Sequence, residues 1–391
     1  MSFKIPKNVK ALGIVSFLND ASTDMMYPLI PIFLTKYLGA SLPMVGLIEG
    51  VAESTASLMK VFSGWISDKL KKRKGLTVLG YALSMLAKPM LALAQAPWHV
   101  LLVRFSDRFG KGIRQAPRDA LIAESTSPEH LGHAYGFHKM MDTLGATVGP
   151  LLAIVLLPIF NDNLRTLFLC SFVASFFALL TLIFFVKEKP AEHVHKSFPK
   201  LSLKLLPRHY RFFLLALAIF TIGNSSDSFL FLRAQDVGVS VMLIPLLYAL
   251  SNIVFAIFAT PFGKLADRVG PQKIMMWGFV VFSVTYAGFG LISSPIAMWI
   301  LFPLYGIFSA MTDSIQKTIT VRISDPQLKG TMLGLTHMTI GLFQLPASVI
   351  AGLLWAKLGV GVPFLFGSAT SIIAALILLF TFFPKMRAQT V

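Results

Sequence analysis

Residues 98–119, WHVLLVRFSDRFGKGIRQAPRD, decide how the whole chain is read. Val100, Leu101, Leu102, Val103, Phe105, Phe109 and Ile113 make the stretch apolar enough for a helix, yet it also carries Arg104, Asp107, Arg108, Lys111, Arg114 and Arg118. Each helical residue advances by about 100°, so Arg104, Arg108, Lys111, Gln115 and Arg118 fall in one stripe roughly 80° wide. On a soluble protein such a stripe is a solvated face. The composition points elsewhere: of 391 residues 55% are hydrophobic and 14% charged, and the mean hydropathy is +0.71, which places the chain in the membrane class. A charge inside a membrane helix costs about 2.5–3.5 kcal/mol on insertion scales, and it persists where it faces a wet cavity or a partner. The stripe therefore predicts a polar pathway within a bundle of membrane helices.

At about 20 residues per span, the chain has room for roughly twelve spans and no large extramembrane domain. Its formal charge of +17 has no soluble domain with which to hold nucleic acid, and the basic residues concentrate in loops that the positive-inside rule assigns to the cytoplasm. Cys170 is the single cysteine and lies in the apolar run TLFLCSFVASFFALL, so neither a disulfide framework nor a cysteine metal cluster is expected. No metal or other cofactor is expected. The first segment is too long and too polar at its centre for a cleavable signal peptide and reads as a retained first helix.

Span one, 11–37, is interrupted by NDASTD and followed by Pro28 and Pro31. Asp20, Asp24 and Tyr27 share a face by i, i+4, i+7 spacing. A helix that starts late would leave these acids at a water interface, whereas the apolar residues on both sides put them at membrane depth. Span two, 43–65, carries Glu49 and Glu53 one turn apart and ends in GWISDKLKKRK; that basic run marks a cytoplasmic loop and a cytoplasmic amino terminus. Span three covers 76–93, and Trp98 then sits at the outer interface. Span four is the opening stretch, running inward. Span five, GHAYGFHKMMDTLGATVGPLLAIVLL, carries Lys139 and Asp142 one turn apart, and span six, 164–186, is almost wholly apolar. The polar, proline-bearing, basic segment that follows divides the chain into an N-terminal six-helix bundle at 1–187, a cytoplasmic linker at 188–210 and a C-terminal six-helix bundle at 211–391. Six further spans are expected at about 212–232, 241–262, 274–292, 295–320, 331–358 and 362–383. The expected fold is all-α, with twelve transmembrane helices and both termini cytoplasmic.

The two halves repeat. GWISD at Gly64 to Asp68 returns as GKLAD at Gly263 to Asp267, SPEHLG followed by Gly136 returns as DPQLKG followed by Gly334, and Ser22, Thr23, Asp24 return as Ser225, Ser226, Asp227. All three lie about 200 residues apart and in order, the mark of a six-plus-six duplication.

Over essentially its whole length the chain resembles the major facilitator superfamily. That family's signature after span two is G-x-x-x-D-R-x-G-R-K. Gly64 and Asp68 match it, with Lys69 and Lys71 at the arginine and second glycine; the second copy matches at Gly263, Asp267, Arg268 and Gly270. The resemblance implies that these residues gate, pairing with helix ends when the cytoplasmic side is shut, and that Asp119 joins the same relay. The family pattern R-x-x-Q-G is similar to Arg108, Phe109, Gly110, Lys111, Gly112, with lysine in place of glutamine. The pattern G-x-x-x-G-P-x-x-G-G of proton-coupled exporters resembles Gly145, Gly149 and Pro150 but not Ala153 and Ile154. Small residues four apart also serve plain helix packing.

Without the resemblance, the intramembrane ionisable groups read from the sequence are Asp20, Asp24, Glu49, Glu53, Asp107 and Asp142 with Lys60, Arg104, Arg108, Lys111, Arg114 and Lys139, six acids and six bases, all in the first half. A balanced set can be a neutral latch, and Lys60, Arg104 and Arg114 are read that way. Asp20, Asp24, Glu53 and Asp142 are instead the candidate proton-coupling acids, because a carboxylate beside a cation in a partly dry site can be switched between charged and neutral by a proton or a solute. Arg108 and Lys111 are candidate anion binders, since guanidinium offers paired donors to carboxylate or phosphate. Tyr27, Asn224, Asp227, Tyr248, Asn252 and His337 complete the expected solute site, with Tyr248 and Asn252 in register with Glu49 and Glu53.

The leading expectation is a secondary active transporter of the bacterial inner membrane, not an enzyme, that moves a small anionic or zwitterionic organic solute by alternating access with proton-coupled export. Its expected partners are the solute, protons and the lipid bilayer, with no nucleic acid, and it is expected to be a monomer. Alternatives are a proton-coupled importer of an organic anion and a divalent-metal carrier using Asp20, Asp24, Asn224 and Asp227 as oxygen ligands. A membrane enzyme or sensor is disfavoured by the lack of a P-loop, HExxH or nucleophile elbow.

Overall fold

The computed structural model describes residues 5–70, 72–188, 206–324 and 329–382, with side chains for all of these except 65, 68–70, 128 and 329–331. The expected linker therefore falls mostly outside the described residues, as do the Asp68 side chain and the carboxyl-terminal tail. The described residues form helices and turns and no strand: α1 (Lys7–Met26), α2 (Leu42–Leu70), α3 (Arg73–Ala92), α4 (Pro97–Glu124), α5 (Leu131–Ile159), α6 (Leu164–Phe185), α7 (Arg208–Gly223), α8 (Ser228–Asp236), α9 (Ile244–Val269), α10 (Pro271–Leu291), α11 (Pro295–Ile323), α12 (Lys329–Leu358) and α13 (Val362–Phe382). Among them, nine spans are long and apolar enough to cross a membrane: α3, α5, α6, α7 together with α8, and α9 to α13. The three long helices outside that set, α1, α2 and α4, carry Asp20, Asp24, Glu49, Glu53, Asp107 and the cationic stripe.

The chain divides into two compact units. The first is 1–40, 51–198 and 241–249; the second is 41–50, 199–240 and 250–391. The first turns of α2 thus belong with the second unit and those of α9 with the first. In the first unit α1 packs on α5 and α6, and α3 on α4 and α6. In the second, α10 packs on α11 and α13, and α7 on α12 and α13.

The expected interruption at NDASTD is corrected: α1 runs unbroken through Asp20 and Asp24 to Met26. Regular α-geometry is lost only afterwards, in a 3-10 turn at Tyr27–Leu29, a short α turn at Ile30–Ile32 and a π turn at Phe33–Tyr37. Pro28 and Pro31 lack the N–H that a helix interior needs. Polar side chains disrupt a helix when they bond their own backbone, but here they reach other helices: the Ser16 hydroxyl donates to Asp142 on α5 and Ser22 to the Ser171 carbonyl on α6. The related stretch in the second half does break, between Gly223 and Ser228. There Gly223 is pressed against α13, where an added Cβ would lie 2.8 Å from the Gly367 Cα, and the freed Ser226 N–H donates to Ser348 Oγ at 3.3 Å.

Candidate functional site

Glycines seat α4. A Cβ on Gly110 would lie 2.6 Å from the Gly80 carbonyl of α3, and one on Gly112 would lie 3.0 Å from the Ala56 carbonyl of α2. The two glycines of RFGKG thus admit a helix on either side, and the cations between them are held at the junction. Arg114 crosses to α3, where it donates to Ser84 Oγ at 2.5 Å and lies 4.3 Å over the Tyr81 ring. That contact ties two helices together.

Earlier on the same helix, Arg104 and Arg108 lie 5.6 Å from the Tyr27 ring centroid, both within cation–π range. Arg108 pairs with Glu53 of α2 at 3.1 Å, and Asp107 lies 3.9 Å from Arg104 and from Arg108. Tyr248, from the part of α9 that belongs to this unit, donates its hydroxyl to Asp24 at 3.2 Å and has its ring 5.5 Å from Tyr27. Arg104 and Arg108 are buried. Lys111 is exposed, with Arg108, Glu53, Asp20 and Asp24 as its charged neighbours, so it stands on the open side of the cluster. Asp20 has Asp142, Lys111 and Arg114 as charged neighbours and takes the Asn19 amide at 3.1 Å. Asp142 meets Ser16 and lies 3.6 Å from His138 one turn away, while Lys139 is exposed; the sequence pairing of Lys139 with Asp142 overlooked the buried histidine.

Asp20, Asp24, Tyr27, Glu53, Arg108, Lys111, Asp142 and Tyr248 therefore all fall in the first unit. Opposite charges at hydrogen-bonding distance offset much of the desolvation that each would suffer alone. The arrangement can exchange partners, because a solute anion or a proton changes which pairs are satisfied.

In the second unit two of the residues in register meet tyrosine hydroxyls. Asp227 accepts the Tyr305 hydroxyl at 2.6 Å and Asn224 that of Tyr286 at 3.5 Å. Around them rings pack closely: Phe282 lies 3.9 Å from Tyr286 and 4.7 Å from Phe308, and Phe220 lies 4.3 Å from Phe279. Asn252 and His337 are half-buried in the same unit.

Of the residues expected to gate, Gly145 and Gly149 pack α5 against α1: a Cβ on Gly145 would lie 2.5 Å from the Phe17 carbonyl, and one on Gly149 would lie 2.8 Å from the Met25 nitrogen. Pro150, next on α5, is buried. Asp119 lies 3.1 Å from Arg118, and Tyr135 donates to its carbonyl at 2.9 Å. Asp267 pairs with Arg322 at 2.8 Å, with Arg268 exposed beside it. Gly64 lies in ordinary contact with Ala116, and Gly263 has open space. Among the described residues, no group of three or more His, Cys, Asp or Glu could hold a metal ion.

Lys88 and the pair Tyr286 and Tyr305 escaped the sequence reading. The signal for the lysine was present: Thr77, Tyr81, Ser84 and Lys88 recur at helical spacing and are all buried.

A profile of the Major Facilitator Superfamily matches residues 12–255 and 228–390. An uncharacterized MFS-type transporter of Methanocaldococcus jannaschii is 38% identical over 383 residues, 96% of this chain and 95% of that protein. Multidrug resistance protein MdtH of Proteus mirabilis is 22% identical over 320 residues, 80% of this chain and 78% of its own. In fold, the chain is similar to a POT family transporter solved with 5-aminolevulinic acid, with TM-score 0.80 at 14% identity over 96% of both chains. It is also similar to the nucleoside transporter NupG, with TM-score 0.79 at 14% identity over 96% of this chain and 99% of that one. A charged helical core, nine apolar spans among the described residues and full-length likeness to a transporter meet in one conclusion: the chain is a multi-pass membrane transporter, not an enzyme, and it belongs to the Major Facilitator Superfamily.

Proposed function

We propose that this transporter is a proton-coupled carrier that exports a small anionic or zwitterionic organic solute across the inner membrane by alternating access, as a monomer of twelve spans with both termini cytoplasmic. The observation that carries the reading is the network of Asp24, Tyr27, Glu53, Arg108 and Tyr248. Asp20 and Lys111 adjoin it, and Asp142 adjoins Asp20. Guanidinium and ammonium groups suit carboxylates and phosphates, and neighbouring acids supply exchangeable protons. Likeness to a protein named for multidrug resistance supports outward movement. Asp20, Asp24, Glu53 and Asp142 are the coupling acids in this reading. Arg108, Lys111, Tyr27 and Tyr248 hold solute in the first unit; Asn224, Asp227, Asn252 and His337 shape its selection from the second. Gly64, Asp68, Asp119, Gly145, Gly149, Pro150, Gly263, Asp267 and Arg268 act at the gates.

The test is flux of radiolabelled organic acids and amino acids into sealed proteoliposomes. Asp20→Asn and Asp142→Asn are expected to abolish accumulation driven by a pH gradient and to leave solute exchange largely intact. Undiminished accumulation in both variants would refute the coupling assignment.

A further inference from the structure

Lys88 is a buried cation of the first unit. It lies on α3, its side chain is 2% exposed, and its Nζ has no hydrogen-bond partner among the described residues. An ammonium has three donors and is strongly hydrated in water, so burying it with none of them satisfied is costly. One and two turns earlier on the same face, Ser84 and Tyr81 are both engaged by Arg114. At Lys88 the pattern ends in an unfilled donor. Its charged neighbours are Asp107 and Arg114 of α4 and Asp20 and Asp24 of α1, so it stands within the network already described.

The charge inventory shifts accordingly. Lys88 adds a base to the first unit, and Glu49 belongs to the second unit. With Lys88 added, the intramembrane set in the first unit holds seven bases, Lys60, Lys88, Arg104, Arg108, Lys111, Arg114 and Lys139, against five acids, Asp20, Asp24, Glu53, Asp107 and Asp142. Arg118 and Asp119 pair with each other and leave this difference unchanged. The surplus is positive, and the buried cation with unfilled donors lies inside it.

We propose that Lys88 anchors the anionic end of the cargo, so that the solute carries an oxyanion of the carboxylate or phosphate type which supplies the hydrogen bonds the ammonium lacks. This rests on the transport reading above for the word cargo, but the anion site itself is testable by binding alone.

The experiment follows thermal unfolding of the purified full-length protein during titration with sodium succinate and, separately, sodium phosphate, at ionic strength held constant with sodium chloride. Wild type is expected to show a saturable rise in midpoint with at least one probe; which probe acts tells carboxylate from phosphate. Lys88→Met, which keeps a long flexible chain without the charge, is expected to weaken the apparent affinity at least about tenfold, the scale of one charge-assisted hydrogen bond. Lys88→Gln gives the same loss if the methionine variant does not fold, and Lys88→Arg is expected to recover part of the response. A saturable rise unchanged in both neutral variants overturns the proposal, and so does a wild type that responds to neither probe. Vesicle flux separates the two claims: solute uptake with an unaltered KM in Lys88→Met removes the anchor and leaves the transporter. Anion binding lost in Lys88→Met, in a protein that moves no solute, keeps the anchor and removes the transport mechanism.

Discussion

The two units carry related sequence patterns and hold their central acids by different means. In the first, Asp24 lies among guanidinium and ammonium groups and takes one tyrosine hydroxyl; in the second, Asp227 takes the Tyr305 hydroxyl beside a close-packed set of rings. Glu53 pairs with Arg108, and the position in register with it is the neutral Asn252. A carboxylate among charges responds strongly to any change in its partners, whereas one held by neutral hydroxyls among rings responds to shape and packing. In the proposed function, coupling falls to the first unit and selectivity to the second.

The largest effects are expected at Arg108 in the first unit and Phe282 in the second. Arg108→Ala leaves the half-buried Glu53 opposite a lost partner and is expected to destabilise by about 3 kcal/mol in denaturant unfolding. Removing the acid as well, in Glu53→Gln with Arg108→Met, should restore most of it. Phe282→Ala in the second unit is expected to cost a similar amount, about 3–5 kcal/mol, through lost packing, with no neighbouring substitution to polar residues able to restore it. If the Arg108 loss is not rescued by the second change, the charges are not mutually compensating.

A middle-sized pair sharpens the contrast. Tyr248→Phe and Tyr305→Phe each remove one hydroxyl donated to a carboxylate, a loss of about 1.5–3 kcal/mol at that contact. The first is expected to lower transport driven by a pH gradient, and the second to raise KM with coupling intact. Both measurements come from vesicle uptake with and without a pH gradient; equal loss of coupling in the two would erase the division of labour. The smallest effect is expected from Ser84→Ala, about 1 kcal/mol in unfolding, because Arg114 keeps the Tyr81 ring and a long contact to the Gly80 carbonyl.

Much of this was legible in the sequence wherever a helical period and a charge coincided. The stripe on residues 98–119 forms one helix, and Arg108, Glu53, Asp24 and Tyr27 converge as their spacing implies. What the sequence hid has three physical causes. NDASTD resembles a helix breaker, but Ser22 and Asp24 within it engage other helices, while GNSSD breaks just after Gly223, which is pressed against α13. Lys88 sits next to Pro89 in a span that otherwise reads as apolar, and only its buried neighbours at 77, 81 and 84 show that the face is polar. The rings around Asp227 come from α7, α10, α11 and α13, and phenylalanines that far apart in a chain with 34 of them carry no pairing signal.

In the proposed mechanism, charge in the first unit ties proton movement to solute movement. The most direct measurement is the pH inside proteoliposomes loaded with a fluorescent pH indicator, recorded when a transported organic acid from the uptake panel is added, for wild type, Asp20→Asn and Asp227→Asn. A solute-triggered pH change is expected in wild type and in Asp227→Asn and none in Asp20→Asn, although Asp20→Asn still exchanges labelled for unlabelled solute. A full pH response in Asp20→Asn, or its loss only in Asp227→Asn, would contradict this mechanism.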